Sequence, residues 1–313
     1  MDKTYERIPF HIKGSKVQYK RFRGTKFILE EVTRPCDLKD SDYVNKKLLY
    51  ENIRQVARRT LREEVAQNIP KYFSEAELIY IYSDLNHKVV AISVSGSMFE
   101  DGNFVMIMWL SMCLDEYKQK GLLKALIPKM FLYFLKEYNK VMGYTGIKKL
   151  IPFFTENYMM GRAINPILYH AVLASPMKLS PPIDINGGID VSNISEKEIN
   201  IRKGYLRKLG YAEDDINENL FIYKSVLTND NENKITHATV PVTPNASVNK
   251  FFKDNLGLDK GNALLMLIYC RPAPAMVVFF PVRFFKTVWR MTRDCLSVLN
   301  VFLRQYRFVK KYE

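Results

Sequence analysis

Residues 103–114 are almost wholly apolar (Phe104, Val105, Met106, Ile107, Met108, Trp109, Leu110), the pattern of a strand buried on both faces. Two shorter runs rich in Ile, Val and Tyr precede it, at 77–82 and 88–94, and Asp84-Leu85-Asn86-His87 joins them as a hairpin. Glu100-Asp101-Gly102 then turns the chain into residue 103, so three antiparallel strands in a row are expected. Upstream, residues 1–26 are basic with short apolar pieces, an N-terminal arm or first strand, and 26–32 is a short strand. Between 42 and 69 the apolar positions Tyr43, Leu48, Ile53, Val56, Leu61, Val65 and Ile69 make one stripe of a helical region. Arg54, Arg58, Arg59 and Arg62 fall outside that stripe and alternate with Glu63 and Glu64, as on a solvated face.

Beyond the apolar strand, Leu122, Leu123, Leu126, Ile127, Met130, Phe131 and Phe134 recur at helical spacing and predict a helix through Tyr138. A short strand at 150–155 and a helix over 157–171 follow. Residues 175–189 hold Pro176, Pro181, Pro182, Gly187 and Gly188 and read as a loop. Ser195 opens a helix, 221–226 is a strand, 228–234 a polar loop, 248–255 a short helix and 262–270 a buried strand. That last strand is placed to complete the main sheet from far away in sequence, which makes 176–260 an elaboration within a 1–270 domain rather than a separate one. The chain contains no internal repeat.

The stretch with the most chemical content is Cys113-Leu114-Asp115-Glu116-Tyr117-Lys118-Gln119-Lys120-Gly121-Leu122-Leu123, a strand running into a lysine-bearing turn and then a helix. Backbone N–H groups at a helix start favour an anion, Lys118 and Lys120 add charge, and Gly121 admits close approach to the backbone. The same spacing also fits an ordinary strand–turn–helix with a solvated basic turn. Lys118-x-x-Gly121-x-Leu123, preceded by Glu116-Tyr117, resembles motif A of the GNAT acyltransferase superfamily, with Lys118 where the family has Gln or Arg and Leu123 where it has a small residue. Phe153-Phe154-Thr155-Glu156-Asn157 resembles the step that opens the helix after the fifth strand of that family. The likeness covers residues 25–175, about half the chain.

The resemblance implies an α/β (α+β) fold, a mixed and mostly antiparallel central sheet flanked by helices. Its fourth and fifth strands splay to admit the pantetheine arm of acetyl-CoA or another acyl-CoA. It assigns coenzyme binding to Met112, Cys113, Leu114, Lys118, Gln119, Lys120, Gly121, Leu122, Leu123 and Asn157, the last as a pantetheine partner or as a helix cap. Such transfer needs an amine held against the thioester, a base for its proton and a donor for the departing thiolate. Tyr169 and Tyr158, both on the expected 157–171 helix, are the thiolate-protonating candidates, and Glu100, with Asp101 beside it, the base. Each is equally readable as packing or surface, and Cys113 as a small buried hydrophobe. The implied activity is acyl-CoA-dependent N-acyl transfer; the alternative is a catalytically inactive protein of the same shape that docks on an anionic membrane or a partner.

Composition narrows the partners. Hydrophobic residues make up 47% of the 313 and aromatic residues 13%, as in a folded rather than a disordered chain. The net charge of +14 favours an anionic partner. Residues 271–313 hold nine Lys/Arg against two acids, so half of the excess sits in the last seventh of the chain. There Phe285, Val288, Trp289, Leu296, Leu299, Phe302, Tyr306 and Val309 make an apolar side, and Lys286, Arg290, Arg293, Arg304, Arg307 and Lys310 a basic one. A basic amphipathic extension over 284–311 suits an anionic membrane surface, its own domain or another subunit. Nucleic-acid binding has charge alone in its favour. Cys36, Cys113, Cys270 and Cys295 have no metal-ligand spacing, so no metal is expected, and the start has no apolar leader, so a cytoplasmic location is expected, with the basic extension open to a peripheral membrane contact.

Overall fold

A computed structural model describes residues 9–60, 63–163, 166–173, 177–217, 219–223, 242–256 and 262–270. The basic extension at 271–313 and the polar loop at 228–234 lie outside the described residues. The chain opens with β1 (His11–Ile12), β2 (Lys16–Phe22) and β3 (Thr25–Thr33). β2 and β3 form a tight hairpin whose turn, Arg23-Gly24, has both φ angles positive, 46° and 83°, the geometry that matches strand twist. The basic arm expected before residue 26 is therefore half of a hairpin.

Next come β4 (Tyr43–Val44), paired with β1, and then α1 (Lys46–Thr60), α2 (Glu63–Gln67) and α3 (Ile69–Glu75). Leu49, Ile53, Val56 and Ala57 turn one stripe of α1 into the core, while Arg58 ties Glu51 and Glu63 together at the surface. β5 (Leu78–Ser83), β6 (Val89–Glu100) and β7 (Asn103–Cys113) form the expected antiparallel run. Asp84 Oδ1 accepts from the amides of Asn86 and Lys88 to close the first turn.

After β7 come α4 (Asp115–Lys118), a 3₁₀ turn at Lys124–Leu126, α5 (Ile127–Val141) and α6 (Ile151–Phe154). β8 (Asn157–Ala163), α7 (Pro166–Leu173), β9 (Lys178–Ser180), α8 (Glu196–Lys208) and α9 (Glu213–Ile216) follow. The described chain closes with β10 (Ile222–Tyr223), α10 (Ala246–Phe251) and β11 (Ala263–Cys270). The principal sheet has nine strands, running β10-β11-β8-β7-β6-β5-β3-β2, with β9 on β11. Every described pairing in it is antiparallel except β7 with β8. The architecture is thus mixed α/β, a mostly antiparallel sheet flanked by helices.

Two expectations are corrected. Residues 150–155 are not a strand: Gly146–Leu150 is a 3₁₀ turn and Ile151–Phe154 one helical turn with Pro152 near its start, where a missing N–H costs nothing. Residues 157–163 are not helix but β8, and the helix begins only at Pro166. β8 is hydrogen-bonded on both edges, to β7 and β11. Its sequence, NYMMGRA, holds a glycine and no Val, Ile or Thr, so the local strand signal is weak and the two neighbouring strands make it a strand.

Sheet alternation builds two cores. On one face of β6 and β7, Ser93 contacts Met130 of α5 and Phe104 packs on Phe134 and Tyr138. On the other, Trp109 stacks on Tyr205 of α8, ring centroids 5.7 Å apart. Leu265 and Leu267 of β11 join this main core, while Leu264, Met266 and Ile268 face a second one made with Tyr169, Val172, Phe251 and Phe252.

Candidate functional site

Among the described strands the one parallel pairing, β7 with β8, frames the candidate site. β7 and β8 are in register only from Val105↔Tyr158 to Met108↔Gly161. Beyond Met108, β7 stays on β6 as far as Cys113, while Arg162 and Ala163 stay on β11. The two strands separate at their C-terminal ends. A β-bulge supplies the cause: Val94 pairs with Leu110 and Ser95 with Met108, which leaves Trp109 as the extra residue, and a bulge bends and twists its strand. Arg162 Nη2 donates to the Trp109 carbonyl at 3.2 Å, a side-chain bond where a strand partner would otherwise sit.

The open end of β7 leads straight into the lysine-bearing turn. Leu114 N–H donates to Val90 O at 2.9 Å, and the Tyr117 ring meets Phe27 edge-on, centroids 5.8 Å apart. Glu116 takes Arg59 at 3.1 Å and Lys88 at 4.0 Å, which draws the C-terminal end of α1 and the β5–β6 turn to the same place. Gly121 has φ +77°, and a Cβ built on it would meet nothing within 4 Å. Among the described residues, no oxygen accepts from the amides of Gly121 or Leu122. Lys118 pairs with Asp115 at 2.5 Å in an exposed i,i+3 contact, and Lys120 and Lys124 form no ion pair among the described residues. The Gly121 amide, on a half-buried residue beside Lys118 and Lys120, is the turn's candidate contact for an anion, whereas Leu122 is buried and α5 begins only at Ile127.

The remaining coenzyme candidates divide. Met112, Cys113, Leu114 and Leu122 are buried and carry the turn's apolar footing. Burial pushes the Cys113 thiol up to about 11, so it stays protonated at neutral pH. Gln119 is exposed, and Leu123 packs half-buried against the main core. Asn157 does not cap a following helix; its side-chain N–H groups donate to Pro152 O at 2.7 Å and Thr155 O at 2.9 Å, closing the α6–β8 corner.

The three candidate catalytic side chains do not converge on the opening. Glu100 sits at the β6–β7 hairpin, opposite Asn103, in an ion pair with Arg207 at 3.2 Å and against Gly204 of α8. Ten strand residues, roughly 33 Å at about 3.3 Å each, separate that end of β7 from Cys113. Tyr158 is at the start of β8, away from its splayed end; it donates to Glu156 at 3.2 Å and carries Lys197 over its ring. Tyr169 is fully buried on α7, donates to Pro181 O at 2.9 Å and accepts from Ile183 N–H at 3.0 Å. Burial pushes its phenol up to about 12. Tyr169→Phe should therefore cost about 1–3 kcal/mol of stability by stranding those backbone groups, read as a lower urea midpoint, with ligand affinity unchanged. A variant that kept its stability but lost turnover would return Tyr169 to the chemistry.

Sequence reading missed Arg59, Lys88 and Phe27, which hold the turn, and Arg162, which bridges the opening. The arginines outside the α1 stripe were the available signal for the first; none existed for the others, because each acts across the sheet. Among the described residues no group of His, Cys, Asp and Glu is arranged to hold a metal ion, and no helix is long and apolar enough to cross a membrane. No protein-family model matches this chain, and no curated protein matches it.

Proposed function

We propose that this protein is an acyl-CoA-dependent N-acyltransferase of GNAT-like design. The observation that carries the reading is the parallel β7–β8 pair that opens after Met108 and points into the Lys118–Leu123 turn. On this reading the Gly121 amide, with Lys118 and Lys120, holds the coenzyme's pyrophosphate. The extended arm enters between the diverging strands and hydrogen-bonds the free edge of β7. The acceptor nitrogen attacks the thioester carbonyl; a C–N bond forms, the C–S bond breaks, the amine proton leaves and the coenzyme thiolate takes one up. Leu123, turned into the core rather than toward the loop, leaves the coenzyme to be gripped mainly by the Gly121 amide and the lysines.

A second reading is favoured by the engagement of Glu100, Tyr158 and Tyr169 in packing: an inactive protein that binds an acyl-CoA and docks elsewhere, through 284–311 if that segment meets an anionic membrane. Calorimetric titration of the folded protein with acetyl-CoA and a long-chain acyl-CoA, followed by an assay for free thiol with pooled amines, separates the cases. Binding with thiol release supports the enzyme. Binding without release supports the second reading. No heat and no thermal shift with either ligand at millimolar concentration would end both.

A further inference from the structure

The connection between α5 and β8, at the end of the sheet away from the Lys118–Leu123 turn, carries apolar side chains that no described residue covers. Val141, Met142, Ile147, Ile151 and Phe154 are all exposed, Ile147 at 75% and Phe154 at 61%. The fold fixes them in that position. Asn139, buried near the end of α5, donates from Nδ2 to Lys149 O at 3.1 Å, and its own carbonyl accepts from Tyr144 N–H at 2.8 Å. Tyr144 also meets Tyr138 edge-on, ring centres 6.1 Å apart. The backbone stays right-handed helical from the 3₁₀ turn through Leu150 and Ile151 into α6, so Ile147, Ile151 and Phe154 follow at i, i+4 and i+7. Pro152, between the last two, is buried.

Lys140, Lys148 and Lys149 are exposed among these side chains, and residues 138–155 contain no Asp or Glu. Of the flanking carboxylates, Glu137 lies 4.0 Å from Lys140 and Glu156 accepts from the Tyr158 hydroxyl. We propose that this connection docks on an anionic lipid surface, with Ile147, Ile151 and Phe154 entering the boundary between headgroups and acyl chains and Lys148 and Lys149 meeting the acidic headgroups. A bilayer takes protruding apolar side chains without a shaped pocket and holds the cations beside them in its headgroup layer. A protein partner fits less well. Interface cores are depleted in lysine, and five apolar side chains fall short of the roughly 20–30 residues that each side of a stable interface supplies. The chain's own basic extension is a poor cover too. β11 ends at Cys270, opposite Asn157, whose side chain closes the α6 corner, so residues 271–313 start beside this patch. Their nine Lys/Arg against two acids repel its lysines and share its preference for an anionic surface. The fifteen residues of α5, about 22 Å at 1.5 Å each, run between the Lys118–Leu123 turn and the patch. The proposal does not depend on what that turn binds.

Flotation of the full-length protein with vesicles of phosphatidylcholine alone, or of phosphatidylcholine and phosphatidylserine in equal parts, tests this. The wild type should float with the anionic vesicles and not with the neutral ones, and added salt should lower the bound fraction. Lys148→Gln combined with Lys149→Gln should weaken partitioning roughly 25-fold, about fivefold for each cation near the surface. Ile147→Asn combined with Phe154→Asn should weaken it at least tenfold at unchanged charge. All four side chains are exposed, melting curves check the fold, and either pair decides if the other fails to fold. Arg290, Arg293, Arg304 and Arg307 changed together to Gln should leave a bound fraction that each patch pair, added to it, still reduces. No flotation of the wild type with anionic vesicles overturns the proposal. So does wild-type flotation by both patch variants, which with loss in the arginine variant would assign the membrane contact to 271–313. A wild-type dimer in light scattering that both patch pairs break, without vesicle binding, would overturn it in favour of a second copy of the chain.

Discussion

Gly121→Asp is expected to weaken acetyl-CoA binding by roughly 100-fold while the protein stays folded. The expectation follows from geometry and charge together. Gly121 has φ +77° and open space around the position of a Cβ, so the aspartate meets no clash; its backbone penalty is about 1 kcal/mol, at a conformation Asp tolerates better than most residues. The carboxylate stands beside the amide that would face the pyrophosphate. Two like charges at about 4 Å repel by up to ~4 kcal/mol near a protein surface, before salt screening reduces it. Gly121→Ala shares the backbone penalty and lacks the charge, so it should retain most of the affinity. Calorimetry on both variants, with melting curves as the fold control, reads the difference. Equal affinities for Gly121→Asp and wild type would remove the turn from the coenzyme site.

The largest effect on stability is expected at Arg202. This side chain is 0% exposed, donates from Nη1 to Leu265 O and from Nη2 to Ser180 Oγ at 3.0 Å, and stacks on Phe221 at 5.0 Å. Ser180 relays the charge to Glu198 through its own hydrogen bond. Burial pulls the guanidinium down to about 10, far enough below its ordinary value to register the desolvation cost but still protonated at neutral pH. Arg202→Ala removes the cation, strands Leu265 O and opens a cavity between α8 and β11, so about 3–5 kcal/mol should be lost. Arg202→Met also leaves Leu265 O without this donor but keeps most of the volume and discards the desolvation cost, and should lose about 1–3 kcal/mol, less than Arg202→Ala. Urea unfolding of the pair decides: equal losses would make the charged network, not the filled volume, the stabilising element.

Much of the sheet was legible because its strands carry their own signals. The 77–82 and 88–94 runs and the apolar stretch after Gly102 became β5, β6 and β7 within a few residues, since alternation and turn chemistry are local. Ser195 was readable as a helix start, and its side chain accepts from the Glu198 amide. The Lys118–Leu123 turn was readable for the same reason: a glycine at a positive φ and flanking lysines are properties of adjacent residues. β8 was not, because only its neighbours on both edges make 157–163 a strand, and the real helix signal was Pro166 as a first helical residue.

The candidate catalytic residues divide along the same line. Glu100, Tyr158 and Tyr169 were chosen by residue type and position in the chain, yet their work is set by Arg207, Glu156 and the Pro181–Ile183 backbone, which only folding brings to them. The sequence by itself determined β3, β5, β6, β7 and β11, the first helices, the basic turn and the charge. The tertiary structure alone decided the opening between β7 and β8 and the cluster of Arg162, Trp109 and Tyr205, because a bulge, an interstrand gap and a stacked pair depend on which residue lies opposite which, and local periodicity carries no record of that.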